Sequence, residues 1–231
     1  VERRPLLIAI DGPAGAGKSA AARALAVRLG LPYLDTGAMY RAVALAARRA
    51  GIGLELDAAG RATVVTLARA LCVSFSGDPG AQHVLLDGAD VTLELREPEV
   101  SRMASVVSAI PEVRREMVRR QRELAARSGG VVEGRDIGTV VFPDAAVKVF
   151  LTAEPEVRAR RRFEELARQG LVATWDEVLE EQRQRDRRDS TRPDSPLRPA
   201  DGAVIVDTSR LTLQEVVDAM LALVPREPLT P

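Results

Sequence analysis

Gly12-Pro13-Ala14-Gly15-Ala16-Gly17-Lys18-Ser19 decides the fold, because it matches GxxxxGK[ST] with Gly12, Gly17, Lys18 and Ser19 at the fixed places. The pattern carries meaning only where a buried strand feeds it and a helix leaves it. Both are expected here: the apolar run 6–10 precedes it, and the Ala/Leu/Arg-rich stretch 20–29 follows. Glycines let the backbone wrap around phosphate oxygens without a side chain in the way. The nascent helix near Lys18 adds its positive dipole end, Lys18 can reach terminal phosphates, and the Ser19 hydroxyl can ligate Mg2+. The alternative, a Gly/Ala turn that binds nothing, does not explain the choice of lysine. The chain has only Lys18 and Lys148 among its 33 basic residues, and a compact ammonium is not interchangeable with a guanidinium over a phosphate chain.

Outward from this stretch, the pattern repeats. Residues 31–35 predict a second strand, Thr36-Gly37 a turn and 38–49 a helix, as in a parallel sheet with crossover helices. Thr36 could serve as a helix N-cap, and Arg41 as part of a solvated face. The rhythm breaks over 54–97: a helix over 58–70, a strand over 73–76, a GDPG turn, a strand over 84–86 and a DGAD turn predict a small antiparallel insertion. Helices over 100–110 and 113–127 follow, the second opened by Pro111.

A third strand over 131–133 runs into Gly134-Arg135-Asp136-Ile137-Gly138, and 147–151 predicts a fourth. Charges at the end of a parallel core strand lie where α/β proteins bind ligands, so Arg135 and Asp136 are site candidates, or else an ion pair closing the strand end. The helix predicted over 156–169 carries Arg158, Arg160, Arg161 and Arg162. A further helix over 174–188 ends in RQRDRRDSTRPDSPLRP, where Arg185, Asp189 and Arg192 recur near helical spacing. Clustered arginines suit phosphate recognition, although charge this dense also suits a solvated face. A last strand over 203–206 and a helix over 212–223 close the chain, with a frayed tail expected over 225–231.

The 231 residues are 46% apolar, enough for a sizeable core, and 33 basic residues balance 33 acidic ones. No overall field favours nucleic acid or an anionic membrane, so any anion site must be local. One cysteine, Cys72, excludes an intramolecular disulfide framework and is expected to be a small buried hydrophobe; with a single His83 a Cys/His zinc site is implausible. No apolar run approaches a membrane span and no secretory leader is visible, so a cytoplasmic protein is expected.

Five segments in order carry a resemblance: IDGPAGAGKS (10–19), LDTGAMYRAVAL (34–45), EVSRMASVVSAIPEVR (99–114), EGRDIGTVVFPDAAVKVFL (133–151) and RDRRDSTRPDSPL (185–197). The chain resembles the bacterial cytidylate kinases, of the nucleoside monophosphate kinase group. That resemblance implies an α/β fold: a five-stranded parallel sheet flanked by helices, with an antiparallel monophosphate-binding insertion and a short helical lid. It divides the chain into a core (1–53, 98–152 and 200–225), the insertion (54–97) and a lid region (153–199). It implies transfer of the terminal phosphoryl of ATP, with Mg2+, to CMP or dCMP by a monomer that engages neither nucleic acid nor membrane.

The resemblance also assigns roles. Residues 12–20 (Gly12, Pro13, Ala14, Gly15, Ala16, Gly17, Lys18, Ser19, Ala20) would bind the donor, with Ser19 on the metal. Thr36, Arg41, Arg135 and Arg192 would hold the acceptor phosphate, although the family often has serine at position 36. Ser105, Arg114 and Asp136 would read cytosine, because an Asp can accept from the exocyclic amino group while Arg and Ser donate to N3 and O2. Asp189, with Arg185 beside it, would contact the ribose, and Arg158, Arg161 and Arg162 would stabilise the transferring phosphoryl. The rivals are a kinase of the same fold acting on UMP, AMP or shikimate, and a nucleotide-dependent switch without an acceptor.

Overall fold

The strand that feeds the loop is β1 (Leu7–Asp11), and all but its first residue are buried. It lies at the centre of a five-stranded sheet with β2 (Tyr33–Asp35), β6 (Gly130–Glu133), β7 (Val147–Thr152) and β8 (Val204–Asp207), in the order β2-β6-β1-β7-β8. β1 runs parallel to both neighbours, with Ile10 opposite Glu133 on one side and Val149 on the other. A central parallel strand is covered on both faces, which is why it reads as continuous apolar sequence. This register also brings Asp11, Glu133 and Asp207, the last residues of their strands, to the carboxyl edge of the sheet. That edge is where ligands bind in open α/β sheets.

The computed structural model describes residues 5–126 and 128–225. The chain divides into two compact units, Val1–Leu34 with Ser128–Pro231, and Asp35–Arg127. In the first, α1 (Lys18–Leu29) and α8 (Leu213–Leu221) pack against each other and α1 covers β6. Small residues Ala21, Ala22 and Ala26 let α1 approach the sheet, and Leu25 fills the space beside Ile8, Ile10, Val131, Val149, Leu151 and Met220. Each such buried Ile or Leu is worth about 1.5–3 kcal/mol. A satellite core of Ala159, Leu166 and Val178 joins α6 (Pro155–Arg168) to α7 (Trp175–Thr191), sealed by Phe163 edge-on to Trp175 at 6.3 Å. Capping boxes at Thr174–Glu177 and Thr212–Glu215 start α7 and α8.

In the second unit α2 (Thr36–Arg49) packs on α3 (Ala58–Ala70), α4 (Pro98–Val107) and α5 (Pro111–Ala125). An antiparallel sheet of β3 (Val73–Ser76), β4 (His83–Leu86) and β5 (Ala89–Asp90) lies in order. Among the described residues no helix is long and apolar enough to cross a membrane.

Two local expectations are corrected. Cys72 is exposed rather than buried: in the extended chain entering β3, Leu71 and Val73 face inward, so residue 72 must face out. The N-cap of α2 is Asp35, whose side chain accepts from the Ala38 N–H at 2.9 Å, and Thr36 is the first helical residue. The expected frayed tail over 225–231 lies, from residue 226, outside the described residues.

Candidate functional site

In the first unit the chain leaves β1 through Gly12, at φ +146°, where a Cβ would stand 1.9 Å from the Leu151 carbonyl oxygen. Only glycine lets the loop turn this close to β7. Gly15, at φ +76°, is closed in the same way by the backbone of Arg158, 3.0 Å from a Cβ built there. Lys18 is buried, and its Nζ donates to the Pro13 carbonyl at 2.7 Å. Burial, reinforced by the Arg135 charge, holds its ammonium well below the ordinary lysine range, against the opposing pull of Glu133. An arriving phosphate would supply the countercharge this ammonium lacks.

Behind the loop lies a carboxylate. Asp11 accepts from the Ile137 N–H at 2.8 Å and the Gly138 N–H at 2.7 Å. These amides open a π-helical turn, Ile137–Val141, directly after Arg135 and Asp136. Burial nevertheless pushes the Asp11 carboxyl up to about 6, and Asp136 adds to the rise. Glu133, buried at the end of β6, accepts a short hydrogen bond from the Tyr33 hydroxyl.

Arg135 Nε donates to Asp189 Oδ2 at 3.0 Å. Asp189, on the inner stripe of α7, is buried, which alone would raise its carboxyl; Arg135, Arg185 and Arg192 outweigh burial and hold it below its ordinary range. Arg192 Nη2 stands 3.9 Å from Asp136 Oδ1, while its Nε donates to the Ser195 carbonyl. Arg135, Asp136, Arg185, Asp189 and Arg192 are therefore assembled in one charged cluster.

The three arginines of α6 expected to face the transferring phosphoryl differ. Arg158 is buried and grips both carboxylate oxygens of Asp186, at 3.1 and 2.7 Å, while donating to the Ala153 and Ala14 carbonyls. Arg161 donates to the Gly15 carbonyl and to Thr208. Arg162 pairs with Glu165 on its own helix.

The second unit carries four predicted residues. Thr36 is buried at the start of α2, one turn before Arg41, whose Nη2 pairs with Asp35 Oδ2 at 2.7 Å. Gly37 leaves room for that guanidinium, since a Cβ there would lie 3.1 Å from Arg41 Nη1. Ser105, on α4, has a buried hydroxyl with no hydrogen-bond partner among the described residues. Arg114, on α5, is buried with its guanidinium 5.9 Å from the centre of the Tyr40 ring. A buried hydroxyl is costly unless something polar meets it, whereas Arg114 Nη1 reaches the Ser108 carbonyl at 3.3 Å.

A model of the family described as cytidylate kinase matches residues 8–226, nearly the whole chain. The chain belongs to the cytidylate kinase family. It is 52% identical over 219 residues to the cytidylate kinase of Corynebacterium efficiens, covering 94% of each chain. It is 51% identical over 211 residues to that of Caldanaerobacter subterraneus subsp. tengcongensis, covering 91% of each. The five-stranded parallel sheet and the antiparallel sheet expected from the cytidylate kinase resemblance are both present.

Sequence reasoning missed five residues at this site: Asp11, Glu133, Gln182, Asp186 and Thr208. Asp11 and Glu133 end buried strands, the same signal that singled out Arg135 and Asp136. Gln182, Asp186 and Asp189 follow Val178 at helical spacing on the inward stripe of α7, where polar residues stand at positions apolar ones would fill.

The donor set fits a magnesium ion delivered by the nucleotide. Ser19 is exposed in the first turn of α1, and among the described residues no three His, Cys, Asp or Glu side chains could hold a metal together. Mg2+ keeps most of its shell as water and phosphate oxygens, so one hydroxyl is the contribution expected of the protein.

Proposed function

We propose that this protein transfers the terminal phosphoryl group of ATP to CMP or dCMP, giving ADP and CDP or dCDP. The observation that carries the reading is the charged cluster following β6 and β1: a loop shaped for phosphate, with Lys18 buried and held toward its neutral form, beside Arg135, Arg185, Arg192 and two carboxylates. Membership of the cytidylate kinases supports cytosine as the base.

In this reading a phosphate oxygen of CMP attacks the terminal phosphorus of ATP, forming one P–O bond as the bond to the ADP oxygen breaks. No covalent enzyme intermediate is needed. The amides of residues 12–20 and Lys18 hold the donor, and Thr36, Arg41, Arg135 and Arg192 offset the charge of the acceptor phosphate. Ser105, Arg114 and Asp136 read the base; a carboxylate facing the exocyclic amino group of cytosine would face a carbonyl in uracil, which disfavours UMP. Asp189, held ionised by Arg135 and Arg185, is fit to accept from a ribose hydroxyl. Arg158, Arg161 and Arg162 supply charge toward the transferring group, Arg161 after leaving its carbonyl partners. Ser19 would hold a Mg2+ ion brought with the nucleotide, which would supply charge neutralisation.

Residues 153–199 act as the lid and 54–97 as the monophosphate-binding insertion, and both change conformation between empty and loaded states so that water is excluded. The same reading makes the enzyme a cytoplasmic monomer, which sedimentation checks for the mass. The test of function is ADP release with ATP and Mg2+ against CMP, dCMP, UMP, AMP and shikimate. Fast turnover with CMP and dCMP alone is expected. Turnover with another acceptor alone would reassign the base pocket, and slow acceptor-independent hydrolysis would favour a nucleotide switch.

A further inference from the structure

Three carbonyls of the donor loop, those of Ala14, Gly15 and Ala16, are held by side chains from outside it. Going along the loop, Pro13 O accepts from Lys18 Nζ, and Ala14 O from Gln182 Nε2 at 2.9 Å and Arg158 Nη1 at 3.2 Å. Gly15 O accepts from Arg161 Nη1 at 3.2 Å, and Ala16 O from the Thr208 hydroxyl at 3.0 Å. The donors come from α6, from α7 and from the residue after β8. In a planar trans peptide the carbonyl and the following N–H point in opposite directions. Pulling the carbonyls of Ala14, Gly15 and Ala16 outward therefore turns the N–H groups of Gly15, Ala16 and Gly17 the other way. Among the described residues none of these N–H groups donates to a main-chain carbonyl.

The two arginines are already accounted for as sources of charge near the transferring phosphoryl. Gln182 and Thr208 are neutral and have no such use. Thr208 is buried, its N–H is fixed to the Thr152 carbonyl at 2.8 Å, and its hydroxyl accepts from Arg161 Nη1 at 3.0 Å, which leaves the hydroxyl proton for the Ala16 carbonyl, with Thr152 O also in reach. Gln182 is buried one helical turn before Asp186, the carboxylate that holds Arg158. Two side chains on separate elements thus grip alternate peptides, Ala14–Gly15 and Ala16–Gly17, of a loop rich in glycine, the residue least able to hold its own conformation.

We infer that Gln182 and Thr208 are positioning residues that aim the Gly15 and Gly17 N–H groups at the phosphates of ATP. The inference rests on the reading of this loop as the donor site. Without the two grips these peptides would be held less firmly, and anion binding would have to order them further.

The experiment is calorimetric binding of ATP, without acceptor, to the full chain and to Thr208→Val, Thr208→Ser and Gln182→Glu. The CMP KM at saturating ATP and the melting temperature of each variant are measured alongside. Valine keeps the shape of threonine but cannot donate, and glutamate sets a carboxylate oxygen against the Ala14 carbonyl. Thr208→Val and Gln182→Glu are expected to weaken ATP binding about tenfold, the loss of a buried hydrogen bond and its geometry, with the CMP KM unchanged. Thr208→Ser is expected to bind within about twofold of the parent, since it restores the donor. ATP binding unchanged in Thr208→Val and Gln182→Glu, Thr208→Ser as impaired as Thr208→Val, or parallel losses for ATP and CMP that follow melting temperature would overturn the inference. Absence of CMP turnover in the parent would overturn the proposed reaction instead, leaving the ATP-binding comparison to decide this inference.

Discussion

Replacing Asp11 with asparagine should remove a pH dependence written into the core. Burial raises the Asp11 carboxyl from 3.8 to about 6 although two backbone N–H groups and Lys18 favour its charge. An acid that holds its proton more tightly folded than unfolded loses its stabilising contribution as pH rises between those two values. At about 1.36 kcal/mol per pH unit, the rise corresponds to about 3 kcal/mol given up by the folded protein between pH ~4 and ~6 and not recovered above. A side-chain amide at this position cannot titrate, so that loss disappears. The substitution carries its own penalty, since the amide offers one oxygen where the Ile137 and Gly138 N–H groups each had one, a pH-independent cost of about 1–3 kcal/mol. Urea unfolding of parent and Asp11→Asn across this range separates the two effects: the offset stays, and the variant should gain about 3 kcal/mol on the parent as pH rises. A flat difference, or a parent that gains on the variant, would mean that the amides and Lys18 outweigh burial, and the reasoning would fail.

Lys18→Ala should lower turnover about 100- to 1,000-fold, the range seen when a group stabilising transition-state charge is removed. Its melting temperature should hold, because a buried ammonium depressed by desolvation contributes little to the fold. Asp136→Asn should cut the preference for CMP over UMP by about tenfold or more, since its amide can rotate to serve either base, while ATP affinity is kept; equal loss with both acceptors would assign Asp136 a structural role. Ser105→Ala should raise the CMP KM about fivefold without lowering stability, because the buried hydroxyl has no partner among the described residues to lose; unchanged kinetics would remove Ser105 from the base site.

The core was legible where local pattern and burial agree. The run 6–10 followed by a glycine loop could only be a buried strand feeding a helix, and β1 and α1 are there. Pro111 marked a helix start because proline fixes φ, and it opens α5; the helix expected from 174 is present as α7, with Thr174 as its cap. What escaped depends on partners distant in sequence. Asp11 meets the Ile137 N–H across 126 positions, and no spacing rule links them. The π-helical turn Ile137–Val141 lacked a signal, since its hydrogen-bond pattern is stabilised by that same carboxylate rather than by residue propensity. The arginines of α6 were visible as a cluster, but their separate tasks were not: Arg158 is buried because Asp186, from the next helix, neutralises it. Cys72 was misread because composition favours burial, whereas strand alternation at one position decides it.

Direct phosphoryl transfer between two bound nucleotides is decided by the product balance of a single reaction. With ATP, Mg2+ and CMP, chromatography should find ADP and CDP formed in equal amounts, no inorganic phosphate, and no ADP when CMP is left out. ADP accompanied by inorganic phosphate in place of CDP would contradict the account.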